Sequence, residues 1–448
     1  YGAPSQSGIL PPGTATGTIG LIEPGIGGAM PAGASDLPTA LASYLASIGV
    51  DATPTVYYAD QGTYGTGHGE RDLDIGIVSA VTPTSAVALY AQNAVFQAWL
   101  SAVWDDTASP EAISASYELG TPPVAGSIFA NAYTSLFEDL ALHGISGFQS
   151  SGDRGTNAHT GNGIANIKNV SVSPYLTVVG GTSSSDANSA PHDTTLDNYV
   201  QSLGNGDLTT LVTAIRSGYQ GLSSSTWLET VWNEATLTGT TMTSYVTNGI
   251  STGGVDTGQA MPGYQTDAGL GGVIVTADGV SGRGSPDVSA NAGGNLFYTV
   301  PTGDYSTTIG NGGTSASTPL WAAFTAQLNG VFAALDLPRL GYYNDLLYTA
   351  SLISPAAFND VVLGNNASSF VEDRNGPLEF SEESASGPQQ YVDGYATGVG
   401  YSAGDGYDLT TGLGTPNGPI LTQALAMIAT NQLASKSLPE VFVADGGD

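Results

Sequence analysis

Short apolar runs alternate with longer amphipathic segments through the first 182 residues of the chain. The short runs are rich in aliphatic and aromatic residues and end near glycine or proline, which favours buried strands; they lie at 18–24, 53–59, 112–120, 145–155 and 174–182. The longer segments repeat apolar residues at helical spacing; they lie at 35–49, 69–80, 87–106 and 127–144. This alternation predicts an α/β fold with a mostly parallel central sheet flanked by helices.

The pattern weakens in the second part of the chain. Residues 183–280 are rich in Ser, Thr, Asn and Gly, which predicts long loops and short strands. A long apolar helix is predicted over 314–335, a loop-like region over 351–416, and a final helix near 419–430. Because no internal repeat or separating linker interrupts these segments, we expect residues 1–448 to form one domain.

The charge balance restricts the partners. The chain has 39 Asp and Glu residues against 8 Lys and Arg, a formal net charge of −31. Nucleic acid is a poor partner, because phosphate binding requires clustered cations. Few basic groups also mean little positive self-repulsion once the carboxylates are protonated, which favours an acidic working environment, although a generic acidic exported protein has the same balance.

Cysteine is absent, so disulfides cannot stabilise the fold, and a bound metal or packing must do so. The chain starts at Tyr1, and it shows no signal peptide and no apolar run of 18 residues. We expect a processed, exported monomer that works outside the cell and does not enter a membrane.

A nucleophile candidate lies in GNGGTSASTPLWAAFTAQL, 310–328. Ser315 follows a glycine turn at the start of the predicted helix, where the helix N-terminus favours developing negative charge. The alternative is that Ser315 is an ordinary N-cap residue of the helix. GGTS also occurs at 180–183, but no helical pattern follows Ser183, so we expect a turn residue at a strand end there.

A second candidate segment is GHGERDLDI, 68–76. On the predicted helix Glu70 and Asp74 are one turn apart, so their carboxyls lie on one face and can share a proton. Asp72 should face elsewhere, as a solvated surface acid. The sequence leaves open whether His68 or Glu70 is the base for Ser315.

These motifs together resemble those of the sedolisins, the serine-carboxyl peptidases. GTSASTP is similar to a serine motif that sedolisins share with subtilisin-like peptidases, yet the chain lacks the His-Gly-Thr-His segment of subtilisins. GHGERDLDI resembles the sedolisin Gly-Glu-x-x-x-Asp pattern, SSGDRG at 150–155 resembles the oxyanion segment, and GRGSPDVSANA at 282–292 resembles the stretch before the serine.

The resemblance implies a subtilisin-like three-layer fold and an acid-active endopeptidase acting on proteins and peptides. It implies that Ser315 is the nucleophile, Glu70 the base and Asp74 the residue that orients Glu70. Asp153 would be the oxyanion residue, and it must be protonated to donate a hydrogen bond; the alternative is that it only stabilises its turn.

Further roles are implied by the same resemblance. Ser116 and Tyr117 lie on the strand that would bind substrate, although Tyr117 could equally be a packing residue. Glu23 would extend the hydrogen-bond chain of Glu70 and Asp74. An N-terminal prodomain, removed in acid, would be a partner during maturation.

The resemblance also implies one structural Ca²⁺ ion in the region of about 355–416. Its ligands would be side-chain oxygens of two aspartates and three backbone carbonyls, at Asp360, Val361, Gly404, Gly406 and Asp408. Oxygen-only ligands on glycine-rich loops suit Ca²⁺. Asp405 stands where the family usually has proline.

Two other hypotheses remain open at this stage. A subtilisin-like peptidase would use His68 with Glu23 and Ser315 and would be most active near neutral pH. A non-catalytic, calcium-stabilised exported binding protein would hydrolyse no peptide bond.

Overall fold

The computed structural model describes most of the chain. The described residues are 1–24, 37–60, 69–117, 126–156, 173–186, 189, 193, 195, 227–234, 236–238, 241–244, 249–276, 279–367, 370–371, 394–396 and 400–436. His68 and the end of the predicted strand 112–120 lie outside this part of the chain.

Seven parallel strands and one antiparallel strand form the central sheet. Its members are β1 (Ile19–Ile22), β2 (Val56–Asp60), β3 (Val87–Tyr90), β4 (Ala112–Ala115), β5 (Ser146–Ser150), β6 (Thr177–Asp186), β7 (Trp227–Val231) and β12 (Val288–Gly293). The order is β12-β6-β5-β4-β1-β3-β2, with β7 antiparallel to β6. The chain therefore places β2 and then β3 on one side of β1, with β3 in between, and from β4 onwards it adds strands on the other side.

Helices cover both faces of the sheet. They are α1 (Leu37–Ser47), α2 (Gly69–Val81), α3 (Val95–Val103), α4 (Ile128–Leu142), α5 (Gly263–Asp267), α6 (Thr314–Ala334), α7 (Asn344–Ile353) and α8 (Gly418–Lys436). Alternate residues of each strand enter different cores, as in Ile19 and Leu21 against Ile22. The core with Ile19 includes residues of α1, α2 and α6, and the other includes residues of α3 and α4. This three-layer arrangement confirms the predicted fold class.

The remaining strands form small ribbons outside the central sheet. They are β8 (Thr236–Thr238), β9 (Thr241–Ser244), β10 (Gly254–Asp256), β11 (Arg283–Ser285), β13 (Tyr298–Pro301), β14 (Thr308–Asn311), β15 (Phe358–Asn359), β16 (Phe370–Val371), β17 (Gly394–Ala396) and β18 (Thr415–Pro416). Of the helices in the described ranges, none has the length and apolarity needed to cross a membrane.

Two predictions about secondary structure are wrong. The segment 87–106 is not one helix, because its first four residues form β3, buried in the middle of the sheet. A short, fully apolar run fits a buried strand and a buried helix equally well. Ser183 is not in a strand-end turn; it is buried inside β6 and donates a hydrogen bond to Asp193.

Candidate active site

The candidate residues meet at the carboxyl ends of three parallel strands. Glu23 follows β1, Ser116 follows β4, and Asp153 lies in the loop after β5. Strands β1 and β4 are neighbours at the point where the chain changes its direction of growth. A crevice at such a switch point is where ligands of open α/β sheets bind.

Ser315 is the second residue of α6, and α6 packs through the core beneath this edge. The first N–H groups of a helix have no partner within it, so the Ser315 N–H is free to donate to a ligand. Pro319 has no N–H for the Ser315 carbonyl. That carbonyl instead accepts a hydrogen bond from the Ser116 hydroxyl, at 3.2 Å.

Asp153 lies against the start of α6. Its Oδ1 accepts the Thr314 N–H at 2.9 Å and the Thr314 hydroxyl at 2.7 Å. The same hydroxyl oxygen accepts the Gly152 N–H, at 3.1 Å, which holds the loop to the helix. Burial raises the pKa of Asp153 more than the Thr314 hydrogen bonds lower it. A carboxyl that stays protonated in acid is able to donate a hydrogen bond.

Glycine is required at position 313, just before the helix. Gly313 has a φ of 96°, and a Cβ atom there would lie 2.9 Å from Asp153 Oδ2. The backbone therefore approaches the carboxyl more closely than any side chain would permit.

Glu70 and Asp74 lie one turn apart in α2, as the sequence predicts. The Ser116 hydroxyl donates to Asp74 Oδ2 at 2.8 Å. Burial raises the pKa of Glu70 to about 7, although hydrogen bonds from Ser315 and Ser116 lower it. Burial also raises the pKa of Asp74, and the charges of Glu23 and Glu70 add to this. When it is ionised, Glu70 is a stronger base than an exposed glutamate, but below a pH of about 7 the ionised form is the minor one, so in acid Glu70 depends on its neighbours to keep a negative charge.

Glu23 completes a chain of three carboxyl groups. It is fully buried, and among the described residues no N–H group and no serine, threonine or tyrosine hydroxyl donates to either of its oxygens. Its carboxyl pairs with that of Asp74, whose Oδ1 also lacks another donor. Two carboxyls can bond to each other only when one of them carries a proton. Burial and the charge of Glu70 raise the pKa of Glu23.

The prediction that Asp72 is a solvated surface acid is wrong. Asp72 is 1% exposed and accepts two hydrogen bonds from Arg71, which is fully buried. Nearly all of α2 is buried, because α6 packs against one side and strand β13 against another. Helical spacing finds the face shared by Glu70 and Asp74, but it does not show that the opposite face is also covered.

Tyr117 is the residue after Ser116, next to the carboxyl chain. Burial raises its pKa, and the charge of Glu23 raises it further. Its carbonyl accepts the Gln149 side-chain N–H at 3.0 Å, which fixes the backbone beyond β4. The ring is therefore near the carboxyls and also packed.

The predicted calcium ligands lie on two loops near β15 and β18. Asp408 Oδ1 accepts the N–H groups of Thr410 and Thr411, so that oxygen is used within its own turn. Its Oδ2 accepts the Gly404 N–H at 3.0 Å and points towards the other loop residues. The carboxylate is thus oriented before any ion is added.

Asp360 faces the same loop, where its Oδ2 accepts the Gly406 N–H at 2.8 Å. Partial burial raises its pKa, and the charge of Asp405 raises it further. Val361, the next predicted ligand, is buried. In the described part of the chain, no three acidic or histidine side chains converge as a metal cluster. Two carboxylates with like charge would accept a hard cation, provided that backbone carbonyls supply the other ligands.

Sequence comparison finds peptidases among the proteins that are similar to this chain. Kumamolisin from Bacillus sp. strain MN-32 is 30% identical over 398 residues, which are 86% of this chain and 57% of that protein. Tripeptidyl-peptidase SED4 from Arthroderma otae is 40% identical over 137 residues, 31% of this chain and 19% of that protein. The chain thus spans less than two thirds of the length of the curated relatives it matches. Among models of protein families, none matches the chain.

A solved structure has the same fold. Pseudomonas sedolisin, a serine-carboxyl proteinase complexed with two molecules of pseudo-iodotyrostatin, superposes with a TM-score of 0.61 at 21% identity. The match covers 93% of this chain and 94% of the other. The sequence relatives, together with the order of the four site residues, show that this chain belongs to the sedolisin family, and the solved structure shows that it has the subtilisin-like fold.

Proposed function

We propose that the chain is a serine-carboxyl endopeptidase that hydrolyses proteins and peptides in acid. The observation that supports this most is the convergence of Ser315, Glu70 and Asp153 at one helix N-terminus, with Asp74 behind Glu70. Membership of the sedolisin family supports it further.

In the proposed reaction the Ser315 hydroxyl attacks the scissile carbonyl while Glu70 accepts its proton. The carbonyl oxygen becomes an oxyanion, which the protonated Asp153 and the Ser315 N–H stabilise as hydrogen-bond donors. Glu70 then returns the proton to the leaving amine, and an acyl-enzyme forms at Ser315. Water hydrolyses this ester with Glu70 again as base. Asp74 keeps Glu70 oriented, as the third member of a triad does.

Ser116 has a part in this proposal that the resemblance alone does not specify. Its hydroxyl donates to Asp74 and to the carbonyl of Ser315, so it joins α2 to α6 at the reacting atoms. Substrate would lie along the strand end that carries Ser116 and Tyr117. Both residues then act on substrate position as well as on the carboxyl chain.

We also propose one structural Ca²⁺ ion held by Asp360, Asp408 and the carbonyls of Val361, Gly404 and Gly406. The ion would neutralise the acidic loop and tie β15 to β18 in a chain without disulfides. It would take no part in catalysis. Calcium should raise Tm of the Ser315→Ala protein and leave Tm of Ser315→Ala/Asp408→Ala unchanged.

Export to an acidic extracellular medium and maturation from a precursor with a prodomain are further proposals. The net charge of −31 supports the first, because an acidic chain acquires little positive repulsion at low pH. Sequencing the precursor and fractionating the producing cells would test them.

Hydrolysis of an acid-denatured protein tests the function directly. The wild type should cleave internal peptide bonds in acid, and Ser315→Ala should cleave none while keeping its fold. Ser183→Ala changes the other GGTS serine and should retain activity. Equal cleavage by the wild type and Ser315→Ala, or no cleavage by the wild type at any pH, would reject the proposal.

A further inference from the structure

A buried ion pair lies in α2 between Glu70 and Asp74 in the sequence. Arg71 donates to Asp72 Oδ1 from Nη2 at 2.8 Å and from Nε at 3.1 Å, and both side chains are almost fully excluded from solvent. The proposed reaction uses neither residue. Burying two charges costs free energy, so such a pair needs an explanation beyond stability.

A hairpin made by β13 and β14 covers this pair. Val300 of β13 packs against Leu73 and Ile77 of α2. Gly76 permits the close approach, since a Cβ there would lie 2.6 Å from Cδ of Pro301. The hairpin is therefore seated on the helix that carries Glu70.

The hairpin turn places an aromatic ring against the ion pair. Tyr305, at a φ of 56°, is 7% exposed, and its hydroxyl lies beside Asp72. Asp304 fixes the turn by accepting hydrogen bonds from the Thr302 hydroxyl and the Ser306 N–H. A tyrosine in this conformation is uncommon, and here the strain keeps the ring over Asp72.

Several charged or titratable groups face Glu23. They are Glu70, Arg71, Asp72 and Asp74 from α2, Tyr117 from the segment after β4, and Tyr305 from the hairpin. Burial is the largest effect and raises the pKa of Glu23, followed by the charge of Glu70. Arg71 lowers this pKa by more than Asp72 raises it. The positive end of the ion pair therefore has the greater influence on Glu23, through which it acts on the hydrogen-bonded partner Asp74.

We propose that Arg71 is a positioning residue of the site, which sustains the negative charge that Glu23, Asp74 and Glu70 must share for Glu70 to act as a base. Asp72 holds the guanidinium in place and moderates its charge, and Tyr305 lies beside Asp72. The inference rests on the proposed function, and it adds a determinant of the acid range to it. Without Arg71 the three carboxyl groups would keep all their protons up to a higher pH. Without Asp72 they would lose one proton at a lower pH.

Two variants with opposite expected effects test the proposal. Arg71→Gln should move the acid limb of the kcat/KM profile to higher pH by about one unit or more, because a favourable charge is lost. Asp72→Asn keeps the shape of the side chain and removes one negative charge beside the guanidinium, so its acid limb should move to lower pH. Arg71→Lys keeps the positive charge, so its acid limb should lie close to that of the wild type.

The pair formed by Arg283 and Asp287 is a matched control. It is equally buried, with 2.6 Å between Nη2 and Oδ2, and lies on other elements. Arg283→Gln and Asp287→Asn should lower stability without moving the acid limb. If Arg71→Gln does not fold, the shift of the acid limb in Asp72→Asn alone tests the proposal. An unmoved limb, or shifts of both variants in the same direction, would overturn the proposal.

A readout without catalysis separates this inference from the proposed function. In a Ser315→Ala background, the infrared band of protonated carboxyls should persist to higher pH in Arg71→Gln and vanish at lower pH in Asp72→Asn. Absence of wild-type peptidase activity would reject the function and leave this titration to decide on Arg71. Unchanged band titrations beside a normal wild-type activity would reject only the role of Arg71.

Discussion

At the scale of single residues, the site depends on close approaches that only particular side chains allow. Gly313 lets the backbone pass Asp153, and Pro319 frees the Ser315 carbonyl for Ser116. Both residues belong to the motif around the serine, so each of these residues is required in the motif for a different physical reason. The nucleophile itself is only one part of what the motif specifies.

Gly313→Ala should abolish activity out of proportion to its effect on stability. The new Cβ would displace Asp153 and remove an oxyanion donor, which lowers kcat by about 100-fold or more. Gly269→Ala is the control, since Gly269 has a φ of 76° but no atom within 4 Å of its Cβ position. Gly269→Ala should lose about 1–2 kcal/mol of unfolding free energy from its left-handed conformation, and Gly313→Ala about 1–3 kcal/mol, because its φ of 96° and ψ of 167° lie in a region essentially restricted to glycine. Equal kcat values in the two variants would contradict the role given to Asp153.

At the scale of elements, local signals in the sequence predict more than long-range packing. The four-residue spacing of Glu70 and Asp74 and the glycine turn before Ser315 are local, and they predict the helices that carry these residues. Their meeting follows from the rule for strand ends in parallel sheets. The burial of Asp72 could not be predicted, because it depends on a hairpin more than 200 residues later in the sequence.

The same contrast explains why β3 was predicted as helix. Its four residues are all apolar and only four residues separate them from α3, so periodicity does not mark a boundary between strand and helix. Only its position between β1 and β2 in the sheet shows that the segment is a strand and not a helix. Tyr305 likewise has no sequence signal, since its positive φ is a property of the folded turn.

The seating of the hairpin on α2 leads to a prediction at this scale. Gly76→Ala would push Pro301 away from the helix and should cost about 1–3 kcal/mol of unfolding free energy by overpacking. Gly69→Ala, in the same helix with no atom of the described residues within 4 Å of its Cβ position, should cost much less. Denaturant unfolding measures both. A similar loss in the two variants would mean that the hairpin does not rest on Gly76.

At the scale of the whole molecule, buried carboxyls link stability to acid. Burial raises the pKa values of the four acids of the site, Glu23, Glu70, Asp74 and Asp153. The folded protein therefore binds more protons than the unfolded chain above the ordinary carboxyl range. Stability is greatest below that range and falls as pH rises through the folded pKa values.

For Glu70 the window runs from its ordinary value of 4.5 to about 7. Over this interval the free energy of unfolding should fall by about 3 kcal/mol from this residue, since one pKa unit corresponds to about 1.4 kcal/mol. Glu70→Gln in a Ser315→Ala background should flatten the fall, whereas Asp304→Asn should not, because hydrogen bonds from Thr302 and Ser306 lower the pKa of Asp304 to about 2, below this window. Denaturant unfolding between pH 4 and pH 8 would reveal a rise instead if the acids were not buried as described.

The most direct test of the central claim, that Glu70 is the base and His68 is not, is the pH dependence of kcat/KM on a peptide substrate. Glu70→Gln should lose about 100-fold or more at every pH, because general base catalysis is removed. His68→Ala should keep an acidic optimum close to that of the wild type. Retained activity in Glu70→Gln, or loss in His68→Ala of a wild-type activity that peaks near neutral pH, would contradict the account.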